Sequence, residues 1–144
     1  MRVTKRTDIA LRVLMFCAIK RGERITKSSI AQVCNVSEHH LGQIVNQLAQ
    51  LGYLRTQRGR KGGLALALAE EDITVGAVFR SFESKVPIVE CHDMATNTCP
   101  LAAACRLRTA LDSAEEEFYK SLDDVNLASL VGGNTELSRI FSAS

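Results

Sequence analysis

The spacing of the apolar residues changes between Thr26 and Leu68, and this change restricts the fold more than any other feature of the chain. Thr26 or Ser28 can open a short helix whose Ile30, Ala31 and Val33 face inward. Asn35-Val36-Ser37 makes a tight turn, with Ser37 as a natural N-cap and Glu38 in the first turn after it. Leu41, Ile44, Val45, Leu48 and Leu51 then recur at steps of three and four residues, and Gly52 ends the segment. Beyond Gly52 the period shortens. Tyr53 to Thr56 reads as a strand, Gly59-Arg60-Lys61-Gly62-Gly63 as a turn, and Leu64 to Leu68 alternates as a returning strand. Two short helices joined by a tight turn form a helix-turn-helix pattern. With a basic hairpin behind it, the pattern becomes a winged helix.

In such a lobe the early exposed residues of the second helix reach base edges. Here these are His39, His40 and Gln43, with Asn46 further along; Ser37 falls near a phosphate, and Ser28 belongs to the same surface. The hairpin tip carries Arg58, Gly59, Arg60 and Lys61. Cations on a narrow glycine-rich tip can enter a minor groove or clamp phosphates, and glycine permits close backbone approach. The charge is sorted to match. Residues 1–63 hold 12 Lys and Arg against 3 Asp and Glu, and residues 64–144 hold 6 against 13, within an overall formal charge of +2. A basic half joined to an acidic half suits a nucleic-acid-binding lobe attached to something else.

The flanking segments complete a mainly α fold. Thr4 to Lys20 reads as a first helix, opened by Thr4 or Thr7, with Cys17 as a structural thiol among its apolar residues. Asp8 lies in its otherwise basic first turn, where a carboxylate complements the helix's positive end. Thr74 caps a helix through Val75, Val78, Phe79 and Phe82. Pro100 suits the first turn of a long helix from about Leu101 to Leu122. Leu107, Leu111, Ala114, Phe118 and Leu122 make a narrow seam on it that favours pairing with another helix. The expected organisation is a DNA-binding domain at 1–84, a metal-cluster-binding loop at 85–105, and a dimerisation helix with a C-terminal tail at 101–144, the tail holding a short helix around Leu127 to Val131 and turning loose after Gly132-Gly133. The chain shows no secretory or membrane-spanning stretch, so the expected setting is the cytoplasm. No general-base pair, nucleophile motif or phosphate-binding loop points to an enzyme.

Three of the five cysteines, Cys91, Cys99 and Cys105, fall within a largely polar stretch. Core cysteines rarely crowd into a polar loop, and clustered thiolates in a reducing compartment suit metal or redox chemistry. The spacing lacks the close pairs and four ligands of structural zinc sites, although His92 could serve as a fourth ligand. A thiol–disulfide switch stays open, with Cys99 just before the expected helix and Cys105 inside it. An iron–sulfur cluster tolerates longer loops but needs a fourth ligand from elsewhere.

Met1-Arg2-Val3-Thr4 with Asp8, the wing Arg58 to Gly63, the cysteine triad and the run Cys105-Arg106-Leu107 together resemble the NsrR/IscR family of bacterial winged-helix iron–sulfur transcription regulators. The resemblance covers essentially the whole chain and is closest to the nitric-oxide-sensing repressors of that family. It implies a homodimer that binds a palindromic operator in double-stranded DNA. It further implies a 4Fe–4S cluster, in preference to 2Fe–2S, held by Cys91, Cys99, Cys105 and Asp8 of the partner subunit, and release of DNA on nitrosylation. In IscR-like members a histidine three residues after the last cysteine completes a 2Fe–2S site; here that position is Arg108. Iron-responsive RirA-like repressors share the triad and are the nearest alternative, followed by a metal-free thiol-redox regulator.

Overall fold

Thr4 sets the start of helix α1 (Lys5–Ile19): its hydroxyl accepts the backbone N–H of Thr7. In the computed structural model, which describes residues 3–57, 62–84 and 87–143, α1 runs through the middle of the molecule. Ile9, Ala10, Val13, Leu14, Phe16 and Cys17 are all buried, so this helix is apolar on more than one side. Burial pushes the Cys17 thiol up to about 12, which makes it the inert core thiol expected from its neighbours.

Local capping explains the helix-turn-helix. Thr26 and Ser29 form a reciprocal capping box on α2 (Lys27–Cys34), and Asn35 closes that helix in a left-handed conformation at φ 52°. Ser37 then caps α3 (Glu38–Gln50), whose Leu41, Ile44, Val45 and Leu48 are buried on α1 and α2. Leu51, expected on that face, is instead the C-cap and is 42% exposed. Gly52, at φ 82°, turns the chain into the hairpin. Strands β1 (Leu54–Gln57) and β2 (Gly63–Leu66) pair antiparallel, Leu54 opposite Leu66 and Gln57 opposite Gly63. The first strand therefore starts and ends one residue later than expected. The second stops at Leu66, leaving Leu68 exposed. Ile25 bridges to Leu64, and a Cβ on Gly63 would stand 2.8 Å from the Ile25 carbonyl, so only glycine lets the hairpin lie this close. The wing-tip positions Arg58, Gly59, Arg60 and Lys61 lie outside the described residues.

Thr74 caps α4 (Val75–Glu83) as expected. The next long helix, α5 (Arg106–Asp123), differs from its expected bounds. Residues 99–104 form tight turns closed by Ala102 N–H to Cys99 O and Ala104 N–H to Leu101 O, and Cys105 is the residue before the helix. Pro100 is thus a turn residue, and Cys105 is not inside a helix. Leu101, 67% exposed, has no packing surface that would draw this stretch into helix. The short α6 (Leu127–Val131) agrees with the sequence, but the expected loose tail is wrong. Asn134 caps a further helix, α7 (Thr135–Ser142), and Phe141 packs against Phe16 at 5.2 Å between ring centroids. Leu127 and Phe141 both join the main core, so the C-terminal helices close over α1.

Helices α4 and α5 meet in a second apolar cluster of Val75, Phe79 and Tyr119, with Phe118 against Phe79 at 5.6 Å. The two backbones approach so closely that a Cβ on Gly76 would overlap Asp123, whose backbone nitrogen would lie 2.9 Å away. Along most of its length α5 is otherwise uncovered: Tyr119 is its one buried residue among those described. Among the described residues no helix is long and apolar enough to cross a membrane.

Because the obstruction at Gly76 includes backbone, Gly76→Ala should lower unfolding free energy by about 1–3 kcal/mol. Urea melts should show a lower midpoint with an unchanged slope. A wild-type midpoint would mean that α4 and α5 do not meet at Gly76.

Candidate nucleic-acid interface and thiol segment

Among the described residues, the DNA-facing expectations fall on α3, on its N-cap and on the first turn of α2. His39 and Gln43 are exposed and one turn apart, their Nε2 atoms 3.5 Å from each other. His40 is partly buried and Asn46 exposed. The Ser37 hydroxyl accepts from His40 N–H at 3.3 Å as the N-cap, which leaves its own proton free to donate to a phosphate. Ser28 and Ser37 line one shallow hollow with Gln32 and Asn35. The structure therefore brings Ser28, Ser37 and the start of α3 to a common surface.

Sequence reasoning passed over two arginines at the root of the hairpin. Arg24 Nε donates to the Gly62 carbonyl at 3.2 Å, and Arg55 lies beside it around a cleft that also includes Arg21. An isolated arginine between helices carries no periodic signal, so Arg24 becomes legible only through this contact. Arg6 was passed over as well: its Nη2 donates to Gln47 Oε1 on α3 at 2.6 Å.

The cysteine segment folds on its own polar side chains. Cys91 sits in a single 3-10 turn, Glu90–His92, and is buried, whereas Cys99 and Cys105 are partly exposed. The Glu90 carboxylate accepts both the N–H and the hydroxyl of Thr98, at 2.6 and 2.5 Å, and these bonds hold its pKa below the ordinary value. Since Glu90 and Thr98 immediately precede Cys91 and Cys99, this clamp closes the spacer and brings the two cysteine backbones near each other. Asp93 caps the turn inside it, accepting from Ala95 N–H and the Thr96 hydroxyl. Asn97 Oδ1 accepts from Cys99 N–H at 3.0 Å. His92 faces α5. Asp112 Oδ1 lies 2.9 Å from its Nε2, yet that buried nitrogen makes no hydrogen bond, so the contact is a close approach without the required alignment.

All three thiols are unpaired, so the donor set is of the right type for iron or another thiophilic metal. It is not assembled in the single chain. Among the described residues no three His, Cys, Asp or Glu side chains stand together as a metal site. Asp8 is elsewhere, on the rim of a groove of about 1090 Å³ between the start of α1, α4 and α5. There it accepts a two-pronged contact from Arg12, at 2.6 and 3.2 Å. Both side chains are about half exposed, 46% and 48%, and such i,i+4 pairs contribute only about 0.3–0.5 kcal/mol. The contact between Arg12 and Asp8 is therefore a weak one.

Residues 3–133 match the family model Rrf2, described as an iron-dependent transcriptional regulator. The chain is 43% identical to the HTH-type transcriptional regulator NsrR of Geobacillus kaustophilus, over 95% of this chain and 94% of that one. It is 38% identical to the Bacillus subtilis protein of the same name, over 97% of each. Its fold superimposes on T. potens IscR with a TM-score of 0.71, at 22% identity and covering 91% of this chain and 86% of that one. The helix-turn-helix, the hairpin and the full-length sequence match lead to one conclusion: the chain belongs to the Rrf2 family of iron-dependent transcriptional regulators.

Proposed function

We propose that the protein is a homodimeric, DNA-binding transcriptional repressor that carries an iron–sulfur cluster and releases its palindromic operator in response to nitric oxide. The observation that carries this reading is the position of three unpaired thiols on the segment that joins α4 of the DNA-reading lobe to α5. Cys91, Cys99 and Cys105 would hold the cluster, with Asp8 of the partner subunit as the fourth ligand. When bound, a 4Fe–4S cluster in this ligand set supplies iron with one displaceable oxygen ligand, the chemistry nitric oxide exploits.

The chain's own residues do the rest. The Glu90–Thr98 clamp holds the first two thiols on one closed turn. Cys105, immediately before α5, ties that turn to the helix start. Phe118 and Leu122 of the expected seam pack toward α4, and its uncovered part, with Leu107 63% exposed and Ala114 exposed, would be the surface offered to a second copy. Two recognition helices can read a palindrome only when the dimer sets them about one helical turn of DNA apart. Asp8 links the two subunits only while Arg12 has let it go. His39 and Gln43 on α3 would read base edges, while Ser28 at the start of α2 and Ser37 at the cap of α3 would fix the phosphate register. Arg58, Gly59, Arg60 and Lys61 would complete the grip from the wing.

Protein purified without oxygen should contain iron and sulfide and bind its operator until nitric oxide is added. A colourless, iron-free protein that binds the operator and ignores nitric oxide would refute the reading. The RirA-like alternative predicts the opposite pattern, release on iron depletion with no effect of nitric oxide.

Asp8→Ala should give a cluster that loses iron faster, seen as quicker bleaching under a chelator. Unchanged spectra and lifetime would remove Asp8 from the ligand set. Gln43→Ala should weaken operator binding by about 1–3 kcal/mol while leaving non-specific DNA affinity and its salt dependence intact. Equal losses on operator and random DNA would assign Gln43 to the phosphate backbone instead.

A further inference from the structure

Helix α4 is gripped at two points by side chains that take no part in the DNA surface or the ligand set. On one face, Arg80 lies over the Tyr119 ring, 4.9 Å from its centroid, and divides its guanidinium between Asp123 at 2.5 Å and Glu116 at 3.2 Å. All three partners belong to α5, and they surround the place where Gly76 lets the two backbones touch. At the C-terminal end of α4, Glu83 is buried at 8% exposure. A buried carboxylate needs donors in place of water. Three converge on its Oε1: Thr4 N–H at 2.9 Å, the Thr4 hydroxyl at 2.7 Å, and the Thr7 hydroxyl. These donors are the N-cap and first turn of α1. The same first turn contains Arg6, which reaches Gln47 of the recognition helix α3.

The connections run in series, from α5 through Arg80 to α4, through Glu83 to the start of α1, and through Arg6 and Gln47 to α3. The cysteine segment leaves α4 directly after Glu83 and re-enters at α5, so it spans the two ends of this linkage. Apolar faces can slide over one another at modest cost. A carboxylate pulled from three donors cannot, because it would remain buried without partners. Movement of α4 therefore carries the start of α1 with it.

We propose that α4 is the lever between the cysteine segment and the recognition helix, with Arg80 and Glu83 as its two positioning residues. Arg80 makes α4 follow α5, and Glu83 makes α1 and α3 follow α4. The inference rests on the reading of the cysteine segment as the sensor, and it assigns to two residues the transmission that this reading requires.

The test uses the full-length homodimer reconstituted with iron and sulfide. Its readout is the ratio of operator affinities before and after nitric oxide. Arg80→Gln and Glu83→Ala should each reduce that ratio by roughly 3- to 30-fold, with iron content and dimer mass unchanged. Glu83→Gln keeps an acceptor in place and should restore most of the ratio, whereas Arg80→Lys keeps the cation but loses the planar fork and should restore only a minor part of it. Hydrogen exchange on the wild-type protein gives a second readout that needs no variant to fold. Amides of residues 4–8 and of α4 should change protection together when nitric oxide is added. A wild-type ratio in both disruptive variants, or identical exchange of these two stretches in both states, would overturn the proposal. If wild-type operator affinity ignores nitric oxide altogether, the sensing reading falls first and the lever falls with it.

Discussion

The guanidinium of Arg80 is held by two carboxylates and an aromatic ring of α5, and this contact lies within the seat that joins α5 to α4. Little else secures α5, whose buried surface is confined to the turn around Tyr119. Gly76 allows the approach and Phe79 with Phe118 fills the space beside it, while Arg80 fixes orientation. An exposed ion pair alone contributes little to stability. A guanidinium held on three sides contributes geometry, because its planar fork accepts few arrangements. Helix α5, proposed above as the dimerisation helix, is thus joined to the DNA-reading lobe through one narrow seat.

The remainder of the lobe is organised around α1. Its buried face receives α2, α3, α6 and α7, and its first turn is tied to the end of α4 by Glu83. Asp8 stands on the exposed side of the same turn, where Arg12 occupies it only weakly. One turn of helix therefore carries a proposed ligand for the neighbouring subunit, a buried anchor to its own α4, and a contact to α3. A change at the thiols has a short path to the recognition helix.

Features decided by neighbouring residues were legible in the sequence. Ser37 and Thr74 cap the helices expected of them, and Thr4 and Thr26, each one of two candidates, are the residues that cap α1 and α2, because an N-cap bond spans only two or three residues. The apolar steps of α3 were equally plain. The start of α5 was misplaced because Pro100 and the run Leu101 to Ala104 carry good helix-start signals, while the deciding factor, the absence of any surface to pack on, is not local. Helix α7 was missed behind Gly132-Gly133, although Asn134 and the spacing of Leu137 and Phe141 carried the signal. Arg80 and Glu83 could not be found this way, since their partners lie 36 to 79 residues distant. The thiol segment was recognised by composition and resemblance, but the Glu90–Thr98 clamp that shapes it depends on a turn no pattern announces.

On this reading the state of the cysteine segment sets the separation of the two recognition helices. The most direct measurement is the distance between labels on a non-cysteine residue introduced at the exposed Gln50 of each subunit. The iron-loaded dimer should show a single separation, compatible with half-sites about 34 Å apart, and a different or broadened one after nitric oxide. The same narrow distribution in both states, with operator binding nonetheless lost, would contradict it.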